Sequence, residues 1–201
     1  PRPVGRSWQE CAAFPLAYLT AYRMLRRARV QAGHTVLVVG IGSGVSCAAL
    51  ALARHMGCTV VATSRSAAKR TEALALGAAA VYDSAAAKWP VEADVVTESV
   101  GPATWEQSVR SLKPGGRLVV CGGTSGPTVE LNLPRLFFKQ IEIIGSTMGS
   151  YQEFDEVCAL VANGVHIQVD RTYPLAAYDE ALTRLEHGEQ LGKIVLTHEG
   201  N

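Results

Sequence analysis

Aromatic residues are scarce in this sequence, at 6%, and net charge is nearly absent, at +1. A chain rich in Ala, Val and Leu with few aromatics fits an α/β sandwich better than an all-β fold. A near-zero charge balance favours neither nucleic acid nor an anionic membrane as partner. The five cysteines (Cys11, Cys47, Cys58, Cys121, Cys158) are odd in number and form no C-x-x-C pair. That argues against a disulfide framework or a structural zinc knot and for a reducing, cytoplasmic compartment. The opening segment, Pro1 to Ser7, has no apolar stretch of the kind a secretory leader needs. Apolar runs elsewhere break at Gly, Ser, Arg or His well before they could span a bilayer.

What is present is an apolar fraction of 48% over 201 residues, enough for one large α/β domain or a domain plus part of a second. Buried-strand runs alternate with helical patterns, as in βαβ units. Strands are expected over Thr35–Val39, Thr59–Thr63, Ala80–Tyr82, Asp94–Thr97, Arg117–Cys121 and Ile141–Ile144. Helices are expected over Val45–Met56, Ala67–Leu76, Thr104–Leu112 and Ser150–Asn163, with Lys113-Pro114-Gly115-Gly116 as a turn. These predict a doubly wound, parallel, six-stranded Rossmann sheet in the order 3-2-1-4-5-6. The ends differ. Residues 7–29 form a helical stretch, and strand-like Val169–Tyr173 and Lys193–Leu196 flank a helix with Tyr178, Ala181, Leu182 and Leu185 on one face.

The segment Gly40-Ile41-Gly42-Ser43-Gly44-Val45-Ser46 lies after a buried strand and at the mouth of a helix. In that context the glycines are the signature of a dinucleotide-binding loop. Gly40 permits the tight turn, and Gly42 allows close approach to a pyrophosphate. The amides of Ser43, Gly44 and Val45 would face it, aided by the helix dipole. The motif's third glycine has no clean match; Ser46 lies where close helix–strand packing would want it, and serine is small enough. The plain alternative is an ordinary strand–helix turn.

The end of the second strand selects the nucleotide. An NAD site usually carries Asp or Glu there; this sequence has Thr63-Ser64-Arg65-Ser66, with no carboxylate before Glu72. Ser64 and Arg65 suit a 2′-phosphate, and Lys69 or Arg70 can add charge. The alternative, cations solvating a helix start, sits poorly with the helix dipole. NADP(H) is therefore the expected cofactor. A methyltransferase using S-adenosylmethionine shares the glycine-rich turn but also needs the missing acid.

These residues resemble the medium-chain dehydrogenase/reductase superfamily, the zinc-type alcohol dehydrogenase and quinone oxidoreductase group. The resemblance rests on Leu19-Thr20-Ala21-Tyr22, Val36–Val45, Ala75-Leu76-Gly77-Ala78, Leu112–Arg117 and Leu191-Gly192-Lys193-Ile194-Val195-Leu196. It implies a Rossmann domain over 21–166, with 1–20 and 167–201 as segments of an incomplete GroES-like catalytic domain. It also implies cofactor contacts at Ser99-Val100-Gly101, Cys121-Gly122-Gly123, Thr147-Met148-Gly149 and Lys193. Cys121 otherwise has the look of a small core residue.

The same resemblance places a zinc ligand, in members that bind the metal, near Leu16. Leucine cannot serve, and the five scattered histidines show no metal spacing, so no zinc is expected. The implied activity is hydride transfer to or from a carbonyl, quinone or activated alkene on a small-molecule substrate. No catalytic side chain is assigned; Tyr18 and Tyr22 are expected to pack. A non-catalytic dinucleotide-binding protein is the second possibility. The strand Ile141–Ile144 would be a sheet edge, and exposed edges pair; the resemblance implies a homodimer there. Finally, only eleven residues, Asp83 to Ala93, separate the third and fourth strands, which predicts a reduced helix or an extended strap.

Overall fold

The structure, a computed structural model, describes residues 5–198. Pro1–Val4 and residues 199–201 lie outside the described residues. Six strands form one sheet: β1 (Thr35–Val38), β2 (Thr59–Ser64), β3 (Ala80–Asp83), β4 (Ala93–Glu98), β5 (Leu112–Val120) and β6 (Glu142–Gly145). They pair in the order β3-β2-β1-β4-β5-β6, and every pairing is parallel. This is the doubly wound topology that the alternating pattern predicts.

The helices are α1 (Trp8–Ala13), α2 (Pro15–Arg27), α3 (Gly44–His55), α4 (Ala67–Ala75), α5 (Pro102–Arg110), α6 (Leu133–Phe138), α7 (Tyr151–Ala162) and α8 (Tyr178–Glu186). Strand residues alternate between faces, so β1 feeds two cores. Val36 and Val38 join Ala21 and Leu25 of α2, Ala48 and Leu52 of α3 and Val157 of α7. Leu37 and the adjacent Val39 join Trp105 and Val109 of α5. Serine caps three helix starts, at Ser66 and Ser150 as expected and also at Ser43. Ser43, Ser66 and Ser150 accept from the amides of Ser46, Lys69 and Glu153, and Ser150–Glu153 completes a capping box. Gly57 and Gly77 follow α3 and α4 with φ of +80° and +93°, where a Cβ would be strained.

Three departures from the sequence pattern have physical causes. The N-terminal helical stretch is two helices, because Pro15 cannot donate an amide and instead takes the first turn of α2. The 113–116 turn lies inside β5 and does not precede it. Gly115, at φ +71°, makes an irregularity between the Ala93–Leu112 and Val95–Arg117 pairings. Helix α6, capped by Asn132, has no counterpart in the expected elements; six residues are too few to show a period.

The crossover from β3 to β4 contains no helix. Trp89 replaces one. It is 2% exposed, packs with Leu37, Val39 and Val61, and donates its indole N–H to the Asp83 carbonyl at 3.0 Å. The Tyr82 hydroxyl donates to the Pro90 carbonyl at 3.3 Å. Both bonds tie the 89–90 stretch of the strap back to the end of β3.

A second, two-stranded parallel sheet pairs β7 (Val169–Pro174) with β8 (Lys193–Thr197). Helix α1 packs on both strands, so the two ends of the described chain meet. Of the apolar face of α8, Ala181 is buried while Tyr178 and Leu185 are about half exposed. Tyr18 is buried, with its hydroxyl donating to the His166 carbonyl and accepting from the Gln168 amide, and Tyr22 donates to Glu156. Both pack, as expected. Asp170 of β7 grips Arg184 of α8 with two bonds, at 2.7 and 2.9 Å, and also accepts from the Leu191 amide at 2.9 Å. Among the described residues no helix is long and apolar enough to cross a membrane.

Two predictions follow from this packing. Trp89→Ala empties a buried indole site and should cost about 3–5 kcal/mol in a denaturant melt, whereas Trp89→Phe should cost far less. A loss below about 1 kcal/mol for the alanine variant would show that the strap is not anchored there. Burial opposes ionisation of Asp170, but the Arg184 guanidinium and the Leu191 amide outweigh it and hold its carboxyl below the ordinary range. Its stabilisation is therefore full above the unfolded carboxylate value of about 4 and is lost as pH falls through the lower folded value. Asp170→Asn should destabilise the protein by about 1–3 kcal/mol at pH 7, and the gap to wild type should close in acid melts. A gap that stays constant from pH 7 to pH 2 would exclude the ion pair as its source.

Candidate functional site

At the carboxyl edge of the sheet, strand order reverses between β1 and its neighbours β2 and β4, which opens a crevice. A cleft of about 960 Å³ occupies it, within the size range of small-molecule sites. Of the residues that the sequence nominates, Gly40, Gly42, Ser43, Ser64, Arg65, Lys69 and Val100 line this cleft. The lining also includes Ser66, Ser84, Thr104, Thr124, Ser125, His187, Gly188 and Gln190. It holds Arg65, Lys69 and His187 but no carboxylate.

The glycine loop is built as the sequence suggests. Gly40 has φ +70°, and a Cβ on it would come within 2.8 Å of the Val100 side chain. Gly42 has φ +144°, and a Cβ there would strike the Lys69 ammonium at 2.8 Å. A Cβ on Gly44 would lie 2.6 Å from the stem of Lys193 and 3.3 Å from Ala17. Each glycine therefore admits a neighbour that a side chain would expel. The Ser43 hydroxyl accepts from the Ser46 amide at 3.1 Å. The amides of Gly44 and Val45 precede the first intrahelical bonds of α3 and have no carbonyl of that helix to reach. They sit beside the cleft with the dipole's positive end. Ser46 is buried; its hydroxyl donates to the Ser43 carbonyl at 3.0 Å and accepts from the Gly42 amide at 3.1 Å.

The basic cluster divides. Arg65 stays in the cleft lining. Arg70 turns away, donating to the Ser64 carbonyl at 2.6 Å and pairing with Asp83 at 3.2 Å. Lys69 donates to the Gly188 carbonyl at 2.5 Å, and burial lowers the pKa of its ammonium. That contact joins α4 to the turn after α8. The same turn reaches the glycine loop, where the Gly192 amide donates to the Gly42 carbonyl at 2.9 Å. His187, Gly188 and Gln190 thereby enter the lining. Histidine spacing carries no sign of this, because the contacts join Lys69 to Gly188 and Gly42 to Gly192, far apart in the chain.

The remaining nominated residues lie around the cleft and outside its lining. Ser99, Gly101, Gly122 and Gly123 form the loops after β4 and β5, which bond to each other through the Thr124 and Ser125 amides donating to the Ser99 and Val100 carbonyls at 3.2 and 2.7 Å. Cys121 is half-buried and packed on the core, and burial with the nearby Glu98 pushes its thiol up to about 11. That keeps it protonated at neutral pH, in keeping with a packing role. Thr147, Met148 and Gly149 follow β6; Met148 has φ +50°, and Leu19 covers Gly149. Lys193 packs its stem on Gly44. Leu16 is exposed. Among the described residues, no group of three or more His, Cys, Asp or Glu side chains could hold a metal ion.

The sequence pattern does not single out Glu98. It is the last residue of β4 and is fully buried, with all four of its bonds directed at the loop and helix that follow. A lone acid at the end of an apolar strand is the only available signal, and it does not distinguish a solvated carboxylate from a buried one.

Comparison with known proteins agrees with this geometry. The family model described as "Zinc-binding dehydrogenase" matches residues 44–163. The chain is 34% identical over 206 residues to the polyketide synthase GfsB of Streptomyces halstedii, covering 97% of this chain and 4% of that protein. A crystal structure of an NAD-dependent alcohol dehydrogenase superposes with a TM-score of 0.91 at 34% identity, covering 98% of this chain and 61% of that one. The 2-octenoyl-CoA carboxylase reductase CinF, in complex with NADP and 2-octenoyl-CoA, superposes with a TM-score of 0.92 at 28% identity, covering 98% and 51%. The chain thus spans less than two thirds of each of these proteins. The family match covers more than half of the chain and includes α3, the sheet beyond β1 and α7. The chain belongs to the zinc-binding dehydrogenase family, within the medium-chain dehydrogenase/reductase superfamily.

Proposed function

We propose that this chain binds NADP(H) as the cofactor-binding portion of an oxidoreductase acting on a carbonyl, quinone or activated alkene. The observation that carries this reading is the lining of the cleft. A glycine loop at a helix N-terminus faces Ser64, Arg65, Lys69 and His187, and no acidic side chain enters the lining. A carboxylate at the end of β2 would accept from both ribose hydroxyls and repel a 2′-phosphate; a serine hydroxyl and a guanidinium do the reverse. In this reading Ser43, Gly44 and Val45 hold the pyrophosphate, with Gly40 and Gly42 admitting it. Ser99–Gly101, Cys121–Gly123 and Thr147–Gly149 surround the nicotinamide half, and Lys193 lends charge behind Gly44. Bound NADPH supplies the hydride; the protein supplies orientation and excludes water. Two relatives, an NAD-dependent alcohol dehydrogenase and a carboxylase reductase in complex with NADP, support a nicotinamide dinucleotide in general. Arg65 supports the phosphorylated one.

Residues 21–166 are assigned to the cofactor domain, and 1–20 with 167–201 to segments of an incomplete catalytic domain. The separate β7–β8 sheet and the packing of α1 on it support that division. Substrate choice belongs to that second domain, and the fragment alone is expected to bind cofactor without turnover. No zinc is assigned to this chain. We also assign a homodimer through the β6 edge, and α6 supports it. Phe138 is 80% exposed, with Leu133, Phe137 and Ile143 also exposed near the outer edge of β6.

Calorimetric titration with NADPH and NADH tests the first assignment. NADPH should bind more tightly, and Arg65→Ala should weaken it about 10–100-fold while leaving NADH within about twofold, the worth of one or two charge-assisted hydrogen bonds. An NADH preference would overturn the phosphate assignment. For the interface, light scattering should give a dimer for wild type and a monomer for both Ile143→Pro and Phe138→Glu. A wild-type monomer, or two dimeric variants, would remove the β6 edge from consideration.

A further inference from the structure

Glu98 lies at the carboxyl end of β4, 0% exposed, and its two oxygens are divided between two jobs. Oε1 accepts from the amides of Val100 at 2.6 Å and Gly101 at 3.1 Å. Oε2 accepts from the hydroxyls of Thr104 at 2.9 Å and Ser108 at 2.6 Å, one turn apart on α5. Burying a carboxyl group is costly unless all of its bonds are made. Where a site needs only to be filled, an apolar side chain of similar volume serves as well or better. The position therefore calls for an acceptor, and the groups that it serves are the backbone amides of a cleft-lining loop.

That loop is a junction. Its Val100 carbonyl accepts from both the amide and the hydroxyl of Ser125, each at 2.7 Å. A Cβ on Gly101, at φ +93°, would lie 3.1 Å from the Gly126 carbonyl oxygen. Val100 also fills the space that a Cβ on Gly40 would need. The loops after β1, β4 and β5 thus touch at Val100 and Gly101, and Glu98 fixes both amides. Ser64 and Arg65 stand on the opposite side of β1, at the end of β2.

We propose that Glu98 is a positioning residue for the nicotinamide half of the dinucleotide: its side-chain oxygens set the 99–101 loop against the cleft. The proposal rests on the NADP(H) reading above. It separates the two ends of the ligand, because an altered Glu98 loosens the loop beyond β4 and leaves the phosphate-reading residues of β2 in place.

The test measures dissociation constants for NADP⁺ and for adenosine 2′-monophosphate on the same preparations. The second ligand carries only the adenosine and 2′-phosphate. Glu98→Met keeps the volume and removes the acceptors; it should weaken NADP⁺ about tenfold or more and leave adenosine 2′-monophosphate within about twofold. Glu98→Gln retains an oxygen for the two amides and an NH₂ for the two hydroxyls to accept, and should keep NADP⁺ affinity within about threefold. If Glu98→Met does not fold, Glu98→Asp makes the same comparison, since a side chain one methylene shorter cannot reach both the loop amides and α5. Hydrogen exchange at Val100 and Gly101 should quicken in the weakened variant and not in Glu98→Gln. Equal weakening of both ligands would mean that Glu98 only stabilises the fold, and unchanged NADP⁺ affinity would mean that the loop does not hold this half; either overturns the proposal. Wild-type protein that binds neither ligand overturns the NADP(H) reading itself, an outcome visible before any variant is made.

Discussion

A parallel sheet sends the carboxyl end of every strand to one edge, and in this protein that constraint organises everything else. The ends of β1, β2, β4 and β5 deliver their loops to one crevice, and α3 starts there with its unpaired amides. No single side chain creates the site. Backbone direction brings the glycine loop, the Ser64-Arg65 corner and the 99–101 and 122–126 loops within reach of one another. Side chains then decide what the crevice favours. Two cores lock the sheet from both faces, so the edge is rigid where the loops leave it.

The parts of the fold visible in the sequence are those governed by short-range rules. Buried parallel strands are continuous apolar runs, and helix starts announce themselves through Ser66 and Ser150. These fix the strand order and the position of the glycine loop to within one or two residues. Long-range features leave weaker traces. Trp89 substitutes for a helix because the β3–β4 crossover lies against Leu37 and Val39, a fact about three dimensions. The bulge in β5 looks like a turn because its Pro114-Gly115-Gly116 run is turn chemistry placed inside a strand. Glu98 is legible only once its burial is known.

The basic cluster shows how local and tertiary rules share a site. In sequence Arg65 stands with Ser64 as the phosphate pair, and Lys69 and Arg70 look alike as sources of added charge. In the fold Asp83 and the Ser64 carbonyl take Arg70, the Gly188 carbonyl takes Lys69, and Arg65 remains toward the cleft. The two engaged cations are not idle. Arg70 ties β2 to β3 beneath the corner, and Lys69 joins that corner to the segment before β8. Arg70 is neutralised by Asp83 while Lys69 stays in the cleft lining, and both fix the backbone that presents Arg65. The same segment passes on to Gly192, whose amide reaches the Gly42 carbonyl. The glycine loop is thus held on its outer side by residues almost 150 positions away.

Ser46 carries the argument one step further. Counted from Gly40 and Gly42, the dinucleotide motif's third glycine falls at Val45, and Ser46, the next residue and itself buried, must be small for helix and strand to pack closely. Serine meets that steric demand and adds a hydroxyl, which must find partners because it is buried. It finds them within the loop, donating to the Ser43 carbonyl and accepting from the Gly42 amide. The loop is thereby braced from inside, at the expense of the Gly42 amide, which can no longer point outward. A pyrophosphate in this cleft would meet donors from Ser43 onward, closer to the α3 axis, where the dipole is most concentrated. The departure from the glycine pattern therefore shifts the donor set along the helix start and keeps the chemistry that the pattern serves.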